Sequence, residues 1–282
     1  MTSRKMLHFS DVHFGVEHPE AVAAALAFAK DSAPDLVVIS GDVTQKGHRR
    51  EFRPFKAWMD ALPQPVFLVP GNHDVPYYDL VARVFHPWRR FEEMTGHPAV
   101  DHELRAPGVM LRGINTARGW QARLNWSKGV IDLEQTRRAA DALRSAPEGD
   151  LRVIVVHHPL VEMVGAPMTG EVKRGDAAAH IFAKAGVDLV MTGHVHAPFA
   201  LPIGVGDNRS YGVGACTLSV RERGYKPGFN VIEWDADVIR VTAMGWVGDR
   251  FEPDRTWNLA RRKSARRAIE AGATTEPAPI AG

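Results

Sequence analysis

The chain has 282 residues, 45% of them hydrophobic and 24% charged, with 35 basic against 33 acidic residues and a formal net charge of +2. This composition excludes collagen-like, mucin-like and wholly disordered chains, and the near-balance of charge speaks against a protein that holds nucleic acid or a membrane by bulk electrostatics. A single cysteine, Cys216, excludes an intrachain disulfide and fits a reducing compartment.

The apolar stretch Met6 to Phe9 is too short, and too soon polar, for a signal peptide. No run of ~18 apolar residues predicts a transmembrane helix, so the expected location is the cytoplasm. Residues 5–9 predict a short buried strand that ends in Ser10-Asp11-Val12-His13. Val22, Leu26 and Ala29 repeat at helical spacing and predict a helix over 19–30. Residues 35–40 read as a buried strand closed by Gly41-Asp42, and 51–62 as a helix with Phe52, Phe55, Met59 and Leu62 on one stripe. Residues 65–69 predict the next buried strand, closed by Gly71-Asn72-His73-Asp74.

Residues 77–95 are predicted helical with an interruption near Pro87, 99–116 as two short strands, and 117–129 as a loop carrying Trp120 and Trp126. Asp132 suits the N-cap of a helix reaching 145. Residues 151–156 predict a strand running into His157-His158-Pro159, and 176–185 a helix stopped by Gly186. Residues 187–191 predict a strand ended by Thr192-Gly193-His194-Val195-His196. Residues 199–247 then read as short antiparallel strands completing a second sheet. One domain over 1–258 is expected. Residues 259–282 open with a basic cluster (Arg261, Arg262, Lys263, Arg266, Arg267), read as a solvated face, and continue as a disordered tail.

Five of the predicted strands end in polar groups of one chemical kind: Asp11 and His13, Asp42, Asn72 with His73, His157, and His194 with His196. In open α/β sheets sites form at the carboxyl ends of strands, so five distant segments would meet at one rim. Carboxylates and neutral imidazoles suit divalent first-row metals. In an extended chain the two spacing-two pairs, Asp11/His13 and His194/His196, would each present both side chains on one face. With a bridging carboxylate and an amide oxygen, these groups supply enough ligands for two metals ~3.5–4 Å apart, the usual device for phosphoester hydrolysis. Taken alone, Gly41-Asp42 reads as a turn and Gly193-His194 is equally weak; their joint occurrence in order carries the inference.

The set resembles the calcineurin-like metallophosphoesterase superfamily, whose signature is D-x-H, G-D-x-x-x-x-G, G-N-H-D/E, H and G-H-x-H. Asp11-Val12-His13, Gly41-Asp42 with Gly47, Gly71-Asn72-His73-Asp74, His157 and Gly193-His194-Val195-His196 match all five blocks, over residues 9–196. The resemblance implies an α/β fold, a four-layer αββα double-sheet sandwich, with a dinuclear centre on one edge. It implies that Asp11, His13, Asp42 and His196 hold one divalent ion, and that Asp42, Asn72, His157 and His194 hold the other. Manganese, iron, zinc and cobalt all suit these donors. It implies that His73 is a proton donor beside the substrate phosphate, oriented by a hydrogen bond to Asp74, with Asn72, His73 and His196 touching substrate. A hydroxide between the ions would attack phosphorus in line with the leaving oxygen.

Within the superfamily the Ser10–Gly15 opening, the Val69–Asp74 block and His157-His158-Pro159 resemble bacterial class III cyclic nucleotide phosphodiesterases. The implied function is hydrolysis of a cyclic nucleotide such as 3′,5′-cAMP, and the resemblance admits a homodimer. Related bacterial members act on glycerophosphodiesters, 2′,3′-cyclic nucleotides or the pyrophosphate of lipid A precursors. A nuclease and a non-catalytic binding module on the same fold are the remaining alternatives; balanced charge opposes the first and the complete ligand set the second. No arginine cluster lies within the five blocks, which predicts a monoanionic diester over a dianionic monoester. Alternation turns His158 away from the site, and His8 reads as structural. Asn115 and Thr116 read equally as turn or rim, and Trp120 and Trp126 as packing or loop anchors ahead of base stacking.

Overall fold

The predicted strands are apolar on both sides of the pleat, which demands cover on both faces. The computed structural model, which describes residues 3–122, 125–162, 172–204 and 208–262, provides it with four layers. In the first six-stranded sheet β1 (Arg4–Phe9), β2 (Leu36–Ile39) and β3 (Val66–Leu68) run parallel. Beyond β1 lie β12 (Gly228–Trp234), β13 (Val238–Trp246) and β14 (Phe251–Ala260), all antiparallel to their neighbours, in the order β14-β13-β12-β1-β2-β3.

The second sheet comprises β4 (Glu103–Ala106), β5 (Val109–Gly113), β7 (Leu151–Val155), β9 (Leu189–Thr192), β10 (Phe199–Gly204) and β11 (Ser210–Gly214). Its order is β10-β11-β9-β7-β5-β4. A separate parallel pair joins β6 (Gly129–Val130) to β8 (Val172–Lys173).

The pleat sorts each strand between two cores. Leu36 and Val38 of β2 pack between the sheets with Val153, Val155 and Met191. Val37 and Ile39 point outward, against α1 (Pro19–Ser32) and α2 (Arg49–Asp60). On the far side α5 (Leu133–Arg144) and α6 (Gly175–Ala185) cover the second sheet through Ala139, Leu143 and Phe182. Burying a side chain such as Leu143 or Phe182 contributes roughly 1.5–3 kcal/mol by its leaving water. Asp132 caps α5 as expected, accepting from the backbone N–H of Glu134 (2.9 Å) and Gln135 (2.8 Å).

The structure departs from the sequence reading in three places. The expected helix over 77–95 is two short ones, α3 (Leu80–Phe85) and α4 (Arg89–Thr95), because Pro87 has no N–H and holds His86 out of the helical region. Residues 199–247 do not complete one antiparallel sheet: β10 and β11 extend the second sheet, with β11 parallel to β9, and β12 and β13 return to the first. The expected boundary at 258 falls inside β14, an edge strand so charged and exposed that it shows no alternation. Arg261 follows it not as a solvated face but buried, donating to the carbonyls of Asp235 (2.6 Å) and Gly149 (3.1 Å). The expected tail from 263 onward lies outside the described residues.

Candidate metal centre

The carboxyl ends of β1, β2 and β3 in one sheet, and of β7 and β9 in the other, open on the same rim. Each strand is followed at once by its polar block, so the sandwich edge collects all the expected ligands. All seven (Asp11, His13, Asp42, Asn72, His157, His194 and His196) are buried.

Extension is not what aims them. Asp11, His13, Asp42, His194 and His196 all adopt the left-handed region, with φ of 52°, 49°, 51°, 67° and 57°. Asp and His tolerate this region better than most residues, and a cluster of such positions marks a functional turn. The spacing-two argument therefore fails for the second pair. His196 joins Asp11 and His13, whereas His194 joins His157. The glycines of these blocks are demanded by close approach. A Cβ on Gly193 would lie 1.8 Å from Ser10 Oγ and 2.4 Å from Asp11 Oδ2.

Hydrogen bonds set the tautomers. His13 Nδ1 donates to the Thr44 carbonyl (3.3 Å), His157 Nδ1 to that of Ser40 (2.8 Å), and His196 Nδ1 to that of Arg221 (2.8 Å). Each imidazole thus aims an Nε2 lone pair into the centre, as metal-ligating histidines do. His13 Nε2 and His196 Nε2 stand 3.3 Å apart, lone pair to lone pair, an arrangement that calls for a cation. Asp11 Oδ1 lies 3.1 Å from His196 Nε2, while Oδ2 accepts from Ser10 Oγ (2.6 Å) and the His194 N–H (2.9 Å). Asp42 Oδ2 sits between the two groups, 3.2 Å from His157 Nε2 and 3.9 Å from His13 Nε2.

Asp11 Oδ1, Asn72 Oδ1 and His157 Nε2 are buried without a hydrogen-bond partner. Orphaned buried acceptors are costly, and Asp11 and His157 converge with Asp42, their ligand atoms within 4.8 Å of one another, so the residues fit divalent metal ions. Electrostatics agree. Burial opposes the charges of Asp11 and Asp42, yet the imidazoles around them, His196 and His13 for Asp11 and His157 for Asp42, hold both well below the usual carboxylate range. Burial pushes His157 down, but Asp42 outweighs it and raises the imidazole to about 9; burial takes His13 down to about 4.

His73 stands at the solvent edge, its ring 4.9 Å from that of His13. Its Nδ1 donates to the Gln45 carbonyl (2.7 Å) and its Nε2 accepts from Arg221 Nη1 (3.0 Å). Asp74 does not orient it. That carboxylate turns beneath the loop and accepts from the Gly71 N–H (2.8 Å), the Thr44 N–H (2.9 Å) and Thr44 Oγ1 (2.9 Å). Burial and the charge of Asp42 push Asp74 up to about 7. The Asp74–His73 hydrogen bond expected from the resemblance is replaced by the Gln45 carbonyl.

His158 lies against the His194 ring at 4.4 Å, but both its nitrogens are engaged: Nδ1 accepts from Thr116 Oγ1 (2.8 Å) and Nε2 donates to the Ser127 carbonyl (2.7 Å). It ties the 125–129 segment to the rim. Asn115 Oδ1 accepts from the Ala117 N–H (2.9 Å), a turn role. His8 is structural, pairing with Ser40 Oγ at 2.9 Å. Trp120 is exposed, so it is not a packing residue. Trp126 instead lines a cleft of about 430 Å³ that opens beside Asn72 and His73, with Tyr77, Arg83, Asn125 and Ser127. The Arg83 guanidinium lies over Trp126 at 5.0 Å and over Tyr77 at 5.7 Å. Arg83 and Arg221 lie outside every motif, and Gln45 fills a variable position of the Gly41–Gly47 block; nothing local in the sequence marks them.

Residues 4–198 match the calcineurin-like phosphoesterase family. A protein of Synechococcus sp. named probable cyclic nucleotide phosphodiesterase is 23% identical over 238 residues, 80% of this chain and 82% of that one. A protein of Arcobacter nitrofigilis named probable glycerophosphodiester phosphodiesterase is 38% identical over 134 residues, 46% of this chain and 44% of that one. Among solved structures, a purple acid phosphatase from yellow lupin (Lupinus luteus) seeds superposes with a TM-score of 0.67 at 13% identity; it covers all of this chain, which spans just over half (57%) of that one. With the αββα sandwich and the ligand geometry in place, the chain belongs to the calcineurin-like phosphoesterase family and is a metal-dependent phosphoester hydrolase.

Proposed function

We propose that this hydrolase cleaves a phosphodiester, a cyclic nucleotide such as 3′,5′-cAMP, with two divalent ions of manganese, iron, zinc or cobalt. The observation that carries the proposal is the convergence of Asp11, Asp42 and His157, with Asp11 Oδ1 and His157 Nε2 lacking hydrogen-bond partners, beside a cleft lined by Asn72, Trp126 and Tyr77. Asp11, His13, Asp42 and His196 would hold one ion, and Asp42, Asn72, His157 and His194 the other. The ions supply a Lewis acid for the phosphoryl oxygens and an activated water. Asn72, His73 and His196 edge the place where the phosphate lies. Once Arg221 turns from Nε2 and that nitrogen takes up a proton from solvent, His73 hands it to the leaving oxygen. Trp126 offers an indole face to a nucleobase. The likeness to the Synechococcus protein supports the substrate. The proposal includes a cytoplasmic location, for which the single buried Cys216 speaks, and a homodimer, which rests on the resemblance. None of the described helices is long and apolar enough to cross a membrane.

A second reading has its own observation. Tyr77, Tyr78, Leu80, Val81, Val84 and Phe85 are exposed beside the cleft, the amphipathic element that a diester with an apolar tail needs. A panel of 3′,5′-cAMP, 2′,3′-cAMP, bis-p-nitrophenyl phosphate, p-nitrophenyl phosphate, a lysophospholipid and single-stranded DNA separates the readings in manganese-loaded protein. The first reading expects cAMP turnover, two ions per chain by elemental analysis, and loss of both in Asp42→Ala. A single ion in active protein, or turnover of the lysophospholipid alone, overturns it.

A further inference from the structure

Between β11 and β12 the chain crosses from the second sheet to the first, over the rim. Three contacts seat this crossover on the turn that carries Asp11 and His13. Thr217 Oγ1 donates to the Asp11 carbonyl (2.6 Å), the His18 N–H to that of Leu218 (3.0 Å), and the Val220 N–H to that of Val16 (3.1 Å). The next residue is Arg221. Its carbonyl is the acceptor for His196 Nδ1, so the backbone at 221 is fixed to the centre itself. Its side chain reaches back over the mouth, with Nη1 3.0 Å from His73 Nε2 and 3.3 Å from Gln45 Oε1.

That leaves most of the fork unspent. Among the described residues Arg221 meets no carboxylate, and Nε and Nη2 have no hydrogen-bond partner. Arg223, two residues on, is half-buried and has neither a hydrogen bond nor an ion pair among the described residues. Burial and the charge of Arg221 pull its guanidinium below the usual value, while Asp11 and Asp42 act the other way, so all four groups share one field. Other arginines of the chain have a carboxylate partner, as Arg49 has in Glu93 and Arg138 in Glu134. Two partly desolvated like charges without a counter-charge repel each other unless an anion lies between them.

We infer that Arg221 and Arg223 form a guanidinium clamp for the non-bridging oxygens of the substrate phosphoryl group. The inference rests on the phosphoester-hydrolase reading of the adjoining centre. Planar guanidinium forks match phosphoryl oxygens two at a time. Attack by water forms one P–O bond and breaks another, and a monoanionic diester becomes a dianionic monoester, one of the water's protons going to the leaving alkoxide oxygen and the other to solvent. Negative charge on the phosphoryl oxygens therefore grows along the reaction, and a fixed cation pair favours its later stages over the bound diester. The clamp also removes the ground for expecting monoesters to be excluded: the arginines missing from the five blocks arrive from outside them.

The test is calorimetric binding of inorganic phosphate to the metal-loaded protein, alongside kinetics on bis-p-nitrophenyl phosphate and metal content of the same samples. Arg221→Ala removes only the side chain and keeps the carbonyl that holds His196. It is expected to lose roughly 10–100-fold in phosphate affinity, as for a charge-assisted hydrogen-bonded pair, and to lose kcat more than it raises KM. Arg221→Lys recovers part of the affinity, added guanidinium chloride recovers part of the kcat of Arg221→Ala, and Arg223→Ala shows a smaller loss. Unchanged phosphate affinity in Arg221→Ala with both ions retained overturns the clamp, as does loss of an ion from Arg221→Lys, which would make the residue a prop for the centre. A wild-type protein that cleaves no phosphodiester but binds phosphate through Arg221 refutes the phosphodiesterase reading and leaves the clamp standing.

Discussion

Gly71→Ala tests whether the centre depends on one close approach between two strand ends. A methyl at this position would lie 2.1 Å from Asp42 Oδ1, 2.7 Å from its Cγ and 2.4 Å from its backbone nitrogen. Carbon needs over 3 Å from such atoms, so something must move by about 1 Å. Gly71 is not in the left-handed region, so alanine brings no backbone strain and the effect is steric alone. The Asp42 nitrogen belongs to the chain behind β2, whereas the carboxylate can swing. It would then leave the His73 N–H (2.7 Å) and its place between His157 and His13. Overpacking of this kind costs about 1–3 kcal/mol, and a domain this large loses ~2–4 °C in Tm per kcal/mol, so Tm should fall by roughly 2–12 °C. A 1 Å misplacement at a reacting centre costs ~100-fold in rate, and a displaced shared carboxylate loosens both ions. The expected signature is a folded protein with depleted metal and at least that loss of kcat on bis-p-nitrophenyl phosphate. Gly212→Ala is the control, because its nearest neighbour would be Ile203 Cγ2 at an ordinary 3.5 Å. Near-normal metal content and kcat in Gly71→Ala would refute the argument that Asp42 has to stay where it is.

His73→Ala should keep both ions and lose ~10²–10⁴-fold in kcat on cAMP, whose ribose alkoxide needs a proton, but less on p-nitrophenyl substrates. Equal losses on both, or a missing ion, would remove His73 from the acid role. Asp74→Asn should behave differently, because the amide nitrogen must face either the Gly71 N–H or the Thr44 donors. One buried hydrogen bond is lost at about 1–3 kcal/mol, seen as a lower Tm and a proportional loss on every substrate. A loss that depends on the leaving group at unchanged Tm would return Asp74 to an orienting role.

Much of this protein is written locally. Apolar runs such as Leu36–Ile39 specify strands, and the block behind each run carries its own candidate ligand, in all but the His157 block with its own glycine. A turn after a buried strand is a short-range problem, solved by residues a few positions apart. The set of polar groups gathered at the rim was therefore legible as residue type and order, as was the Asp132 cap on α5. What the sequence left open lies in contacts between distant segments. Arg221 meets His73 across 148 positions, and the His196 tautomer depends on a carbonyl 25 residues on. The residues after 199 divide between the sheets because the crossover through 215–227 has to pass over the rim. Asp74 and His158 sit beside the ligands in sequence, yet hydrogen bonds turn one under the loop and the other toward Ser127. A backbone carbonyl looks the same at every residue, so no local pattern can announce which one will accept an imidazole proton. Only the packed sandwich, by bringing those carbonyls to the rim, decides which residues hold, aim or merely support the chemistry.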